Sequence, residues 1–187
     1  MNDLQFDERY SATDIAKRIK DVGARISADY PQGQLVLIAV LKGTGFFVAD
    51  LARAVTCPAR IEYIDVIRGT DDEIVDFHFV TKFPVRGLDL IILKDVVRSG
   101  IIESYLMNQL REQEPRSIRF ASLVDRPQER KSSLFVDYVL FPSEEGVLVG
   151  YGMEYRAQGG NLPYIAQVRT EGDAPFDPPT GRVRIKI

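Results

Sequence analysis

The chain has 187 residues, a length that suggests one domain able to bury a full core, and its 45% hydrophobic and 27% charged residues exclude a disordered composition. A net charge of −3 leaves no global basic field to draw in nucleic acid, and no apolar run approaches the roughly 20 residues of a membrane span. Cys57 is the single cysteine and His78 the single histidine, which excludes an intrachain disulfide and a multi-histidine metal site. The stretch MNDLQFDERY is charged and lacks the apolar centre of a signal peptide, so the expected location is the cytoplasm, with no membrane and no nucleic-acid partner.

In chain order, Ser11 and Asp14 form the outline of a capping box, and Ile15, Ile19, Val22 and Ile26 then fall on one helical stripe that Pro31-Gln32-Gly33 ends. Leu35 to Leu41 is continuously apolar, the mark of a strand buried on both faces. Lys42-Gly43-Thr44-Gly45 reads as a loop and Phe46 to Val55 as a helix. Ile61 to Ile67 reads as a strand. Val75 to Phe79 alternates, which predicts a half-exposed strand near a sheet edge with His78 facing solvent. Leu88 to Leu93 is a further buried strand, Lys94 to Ile102 a loop with a turn at Gly100, and Ile101 to Gln113 a helix. Ile118 to Val124 is a strand, Asp125 to Lys131 a polar loop, and 136–141, 147–151 and 164–168 are short strands. Residues 169–187, with Pro175, Pro178, Pro179 and Gly181, read as an extended arm beyond a domain spanning 1–168. Strands alternating with helices imply right-handed crossovers and an α/β fold with a parallel sheet, whose ligands bind outside the carboxyl ends of the strands.

Two strand-to-helix loops carry chemistry. Around Lys42, Gly43 and Gly45 the backbone can approach a ligand beside a cation. From Lys94 through Asp95, Arg98, Ser99 and Gly100 to Ile101 and Ile102, a second loop opens a helix whose amides and Ser99 hydroxyl suit a phosphate. Both also read as ordinary turns with a helix cap. Gly43-x-Gly45-x-x-Val48, with Asp65 at a strand end, is a partial dinucleotide fingerprint that lacks its third glycine.

The segments 35–55, LIILKDVVRSG at 90–100, IRFASLVDRP at 118–127 and the stretch 136–165 together resemble the bacterial hypoxanthine-guanine phosphoribosyltransferases, collinearly from about Tyr10 to Val168. The resemblance implies the type I phosphoribosyltransferase fold, a parallel sheet flanked by helices with a small hood, and transfer of 5-phosphoribosyl from phosphoribosyl pyrophosphate to a purine with Mg²⁺. By the same resemblance Lys42 and the amides near Gly43 hold pyrophosphate, and Asp95 faces the ribose hydroxyls. Ser99, Gly100, Ile101 and Ile102 line the 5′-phosphate loop. Arg126 stands where a lysine meets the purine's exocyclic oxygen. Val147 stands where an aromatic stacks on the base, and Leu148 reads the base through its backbone. Glu154 replaces an aspartate near metal and pyrophosphate. A homodimer or homotetramer is implied as well.

This sequence departs from the family pattern at several of these positions. The family loop Glu-Asp-x-x-Asp-Thr-Gly-x-Thr is here Lys94-Asp95-Val96-Val97-Arg98-Ser99-Gly100-Ile101-Ile102, so three negative charges become one net positive. Arg98 occupies the general-base position and cannot act as a base near neutral pH. Gly160 stands for an arginine, and Arg68 to Asp72 stands for the mobile lid. Asp71, Asp72 and Glu73 read as a solvated loop. Three functions fit these residues: a purine phosphoribosyltransferase, a non-catalytic binder of phosphoribosyl pyrophosphate or a nucleotide on the same fold, and a dinucleotide-binding domain.

Overall fold

In the computed structural model, the described residues are 4–32, 35–68, 74–80, 83–143 and 146–169. The elements run β1 (Gln5–Tyr10), α1 (Ala12–Asp29), β2 (Leu35–Val40), α2 (Gly45–Ala54), β3 (Ala59–Arg68), β4 (Ile74–Phe79), β5 (Asp89–Val97), α3 (Ile101–Arg111), β6 (Ser117–Asp125), β7 (Tyr138–Pro142), β8 (Leu148–Val149) and β9 (Ile165–Arg169). A 3₁₀ turn at Pro127–Glu129 follows β6.

Helix α1 starts where the sequence says it should. Ser11 Oγ accepts from the Asp14 backbone at 3.1 Å, and Asp14 Oδ2 accepts from the Ser11 backbone at 3.2 Å. The predicted stripe Ile15, Ile19, Val22 and Ile26 is buried. Gly23 lies against Ala54 of α2, where an added Cβ would come within 2.7 Å of the alanine Cβ.

The six-stranded sheet has the order β4-β3-β2-β5-β6-β7. Every neighbouring pair is parallel except β3 and β4, so the sheet is mixed rather than wholly parallel. The alternating strand is that antiparallel edge, with Phe77 buried and His78 exposed. Residues of β2 divide between the two faces as strand geometry requires. Leu35, Leu37 and Ala39 join α1 and α2 in one core, whereas Val36, Ile38 and Val40 join Leu106 and Leu110 of α3 in the other.

A second sheet, ordered β1-β9-β8, is antiparallel and joins the two ends of the described chain. Val149, Ala166 and Val168 form its own small core, packed by Phe6, Val147 and Tyr164. This is the hood. Arg169 is not the first residue of an arm. It closes β9 opposite Gln5 and pairs with Asp7 at 2.5 Å. The rest of the proposed arm, 170–187, and the Gly69–Glu73 part of the lid and acidic loop lie outside the described residues.

From β2 the chain crosses to β3 on one side, and from β5 it crosses to β6 and β7 on the other. The winding direction therefore reverses between β2 and β5. In open α/β sheets the crevice at that switch point, at the carboxyl ends of the strands, is where ligands bind.

Candidate active site

Both chemistry-bearing loops leave the sheet at this crevice. After β2, Leu41 to Thr44 form a turn, and the Leu41–Lys42 peptide bond is cis. Buried Thr44 donates from its hydroxyl to the Val40 carbonyl, pinning the turn to the strand it leaves. No side chain caps the first turn of α2, and Lys42 is exposed.

After β5 the loop is shorter than the sequence suggests. Lys94 to Val97 are not loop but continue the strand, paired with β6 from Lys94↔Ser122 to Val97↔Asp125. Only Arg98, Ser99 and Gly100 turn before α3 begins at Ile101. Gly100 has φ 73°, a left-handed conformation that favours glycine, and its helix end carries no side-chain cap. Ser99 Oγ accepts from the Ile101 amide at 3.4 Å, and Ile101 and Ile102 form the first helical residues.

The two loops touch. A Cβ added to Gly43 would lie 2.9 Å from the Asp95 carboxyl carbon, so the glycine leaves room for that carboxylate. Asp95 Oδ1 accepts from Lys94 Nζ at 2.6 Å and from the Val96 amide at 2.8 Å. Beneath them lies Glu103, 5% exposed, with its carboxyl pushed up by burial. Among its neighbours Lys94 and Arg130 oppose that shift and Asp95 adds to it.

Hood residues close the crevice. A Cβ on Gly152 would meet the Gly43 carbonyl at 2.6 Å, which seats the hood loop on the Lys42 turn. Glu154 follows on that loop, exposed and packed against Gly160. Arg126, 4% exposed, donates to the Gly146 carbonyl, directly before half-buried Val147 and buried Leu148.

The segment after β6, a polar loop by sequence, contributes further charged groups. Glu129 Oε2 accepts from Arg98 Nε at 2.7 Å, and Oε1 accepts from Arg126 Nη1 at 3.2 Å. Arg130 donates to the Arg98 carbonyl at 3.0 Å and pairs with Asp125. The Lys131 amide donates to the Ser99 carbonyl at 2.9 Å. The signal available in sequence was charge density just past a buried strand end, in DRPQERK, the place where such sheets keep their ligands.

Gly43, beside Lys42, thus meets Asp95 and its partner Lys94, Arg98 to Gly100 continue from the same strand end, and Arg126 reaches the Gly146 carbonyl next to Val147 and Leu148. Among the described residues no three His, Cys, Asp or Glu side chains converge as a metal cluster. No described helix is long and apolar enough to cross a membrane.

Comparison with known proteins identifies the family of this fold. The family described as "Phosphoribosyl transferase domain" matches residues 7–156. The hypoxanthine-guanine phosphoribosyltransferase of Bacillus subtilis is 31% identical over 163 residues, spanning 85% of this chain and 91% of the relative. That of Mycobacterium tuberculosis is 34% identical over 165 residues, spanning 83% and 82%. A crystal structure of a hypoxanthine-guanine phosphoribosyltransferase from Bacillus anthracis superposes with a TM-score of 0.81 at 27% identity, covering 89% of this chain and all of that one. The chain belongs to the phosphoribosyltransferase family. Within that family, these three relatives are hypoxanthine-guanine phosphoribosyltransferases.

Proposed function

We propose that the chain moves a 5-phosphoribosyl group from phosphoribosyl pyrophosphate to a 6-oxopurine base of the hypoxanthine or guanine type. The observation that supports this reading is the contact of Gly43 with Asp95 at the switch point, which suits a turn holding pyrophosphate beside a carboxylate facing the ribose. In this reading Lys42 and the turn amides hold pyrophosphate. The Ser99 hydroxyl and the amides opening α3 hold the 5′-phosphate, where backbone donors and helix dipole favour an anion. Arg126, Val147 and Leu148 form the base side. Phosphates held at both ends of the sugar bring its C1 against the base, and such positioning is a large share of catalysis for group transfer.

Mg²⁺ takes one or two carboxylates together with substrate phosphates. With Asp95 shared by Lys94 and Glu154 exposed, the donors here fit a metal that arrives on the pyrophosphate better than one held by the protein alone. Glu154 is the carboxylate assigned to it, and its chemistry is neutralisation of the departing anion.

Arg98 does not serve as the base in this proposal, since a guanidinium stays charged. The assembly is a homodimer or homotetramer in the cytoplasm; exposed Ile101 and Tyr105, one turn apart on α3, offer an apolar surface for it. Initial rates with phosphoribosyl pyrophosphate, Mg²⁺ and a panel of purines, read as pyrophosphate release, test the function. Release that depends on hypoxanthine or guanine is expected, and none with any base overturns it.

A further inference from the structure

The structure leaves the base side of the crevice with an arginine at position 98, yet it does not leave that side without a carboxylate. Glu129 sits between two guanidiniums, 2.7 Å from Arg98 Nε and 3.2 Å from Arg126 Nη1. Its side chain is 32% exposed, whereas that of Arg126 is 5% exposed. A carboxylate has about four lone-pair sites, and the two arginines engage one on each oxygen. Arg126 also donates to the Gly146 carbonyl, and its Nε has no hydrogen-bond partner. The other carboxylates nearby are committed: Asp95 to Lys94, Asp125 to Arg130, and Glu103, in the first turn of α3, is buried. Glu154 lies on the loop seated over the Lys42 turn.

An arginine donor beside a carboxylate acceptor is a two-point pattern. A free 6-oxopurine protonated at N7 presents its complement, an oxo acceptor next to a ring N–H donor. A finished nucleotide does not, because its N7 carries a lone pair. We propose that Glu129, held in place by Arg98, is the group that accepts the N7–H of the incoming base while Arg126 donates to its oxo group. This rests on the transferase reading above.

In the reaction the N9 lone pair bonds to the sugar C1, and the C1–O bond to pyrophosphate breaks with its electron pair leaving on pyrophosphate. The N7–H bond pair returns to the ring as its proton passes to Glu129 and then to solvent. Burial raises the Glu129 carboxyl, but the hydrogen bonds and charges of Arg98 and Arg126 more than reverse this, so it is ionised at neutral pH.

The test uses the full chain with saturating phosphoribosyl pyrophosphate and two non-standard bases. 9-Deazaguanine keeps N7–H, whereas 7-deazaguanine lacks it. Calorimetry is expected to show at least tenfold tighter binding of 9-deazaguanine to the wild type, a preference lost in Glu129→Ala and kept in Glu129→Asp. With hypoxanthine, kcat is expected to fall about 10²–10⁴-fold in Glu129→Ala. Affinity for phosphoribosyl pyrophosphate should stay within about threefold, a split that a merely structural role would not produce. If Glu129→Ala does not fold, Glu129→Gln is read in its place, with a loss of kcat expected. A variant that folds and keeps both the preference and the rate overturns the assignment. Intact preference without turnover in the wild type overturns only the transferase reading.

Discussion

At position 43 a single methyl group is enough to set two loops against each other. Because a Cβ there would collide with the Asp95 carboxylate, Gly43→Ala must displace either the turn or the acid. Displacement of about 1 Å can cost on the order of 100-fold in rate. Gly43→Ala is expected to lower kcat/KM for phosphoribosyl pyrophosphate by about that factor with a small change in melting temperature, as steady-state kinetics and a thermal melt would show. Lys94 makes a second test. Its ammonium lies 2.6 Å from Asp95 and competes with any metal for that carboxylate. Removing one such cation is expected to strengthen Mg²⁺ binding by about 1.4 kcal/mol, or tenfold. In Lys94→Ala the Mg²⁺ concentration for half-maximal rate should fall accordingly, and an unchanged value would mean that the metal does not meet Asp95. Positions 42, 43, 94, 95 and 98–100 were legible in sequence because glycines and charges directly follow buried apolar strands. Glu129 was not, because nothing local marks which polar side chain of a charged loop will fold back onto two distant arginines.

At the level of elements, sequence periodicity finds what is buried and loses what is paired. The stripe of α1 and the apolar run of β2 were visible because burial on one face or both leaves a pattern. The extension of β5 through Lys94 and Asp95 was not, since its half-buried charged residues are held by backbone pairing to β6. Strand β1 escaped for a similar reason: in Gln5–Tyr10 no residue is fully buried, and its partner β9 lies at the far end of the chain. Helix α3 shows how the element supports the site. Its buried face includes Leu106, 1% exposed, whose truncation to alanine should cost about 2–5 kcal/mol in a denaturant titration. Its first turn includes Glu103, whose raised carboxyl means that the folded chain holds a proton where the unfolded chain has lost it. Stability from that group is full below the unfolded carboxyl range and is lost as pH rises through the folded value. Glu103→Gln is therefore expected to melt higher than the wild type at pH 8 and to match it at pH 4.

The whole molecule divides its labour between a sheet with two cores and a hood with a very small one. The sheet cores each join at least one helix to several strands, whereas the hood's own cluster among the described residues is Val149, Ala166 and Val168, with Leu148 and Ile165 of β8 and β9 joining the core of the large sheet instead. Segments with so few buried apolar contacts open at lower free energy than the global fold. The hood nevertheless presents Gly146 to Leu148 to Arg126 and seats Gly152 on the Lys42 turn. The proposed phosphate side of the crevice is thus built on the stable sheet and the proposed base side on the less stable hood. A charge placed in the hood core should separate the two. Val149 is fully buried, and Val149→Asp would leave a carboxylate there without a partner, at a cost of several kcal/mol unless the hood opens. Opening is the cheaper outcome. The variant is expected to raise KM for hypoxanthine at least about tenfold, since recognition is weakened by the fraction of hood left closed. Amide exchange should accelerate in 147–149 and 165–168 while β2 and β5 stay protected, and affinity for phosphoribosyl pyrophosphate should change by less than about threefold. Equal losses for base and sugar phosphate would show instead that hood and sheet unfold as one unit.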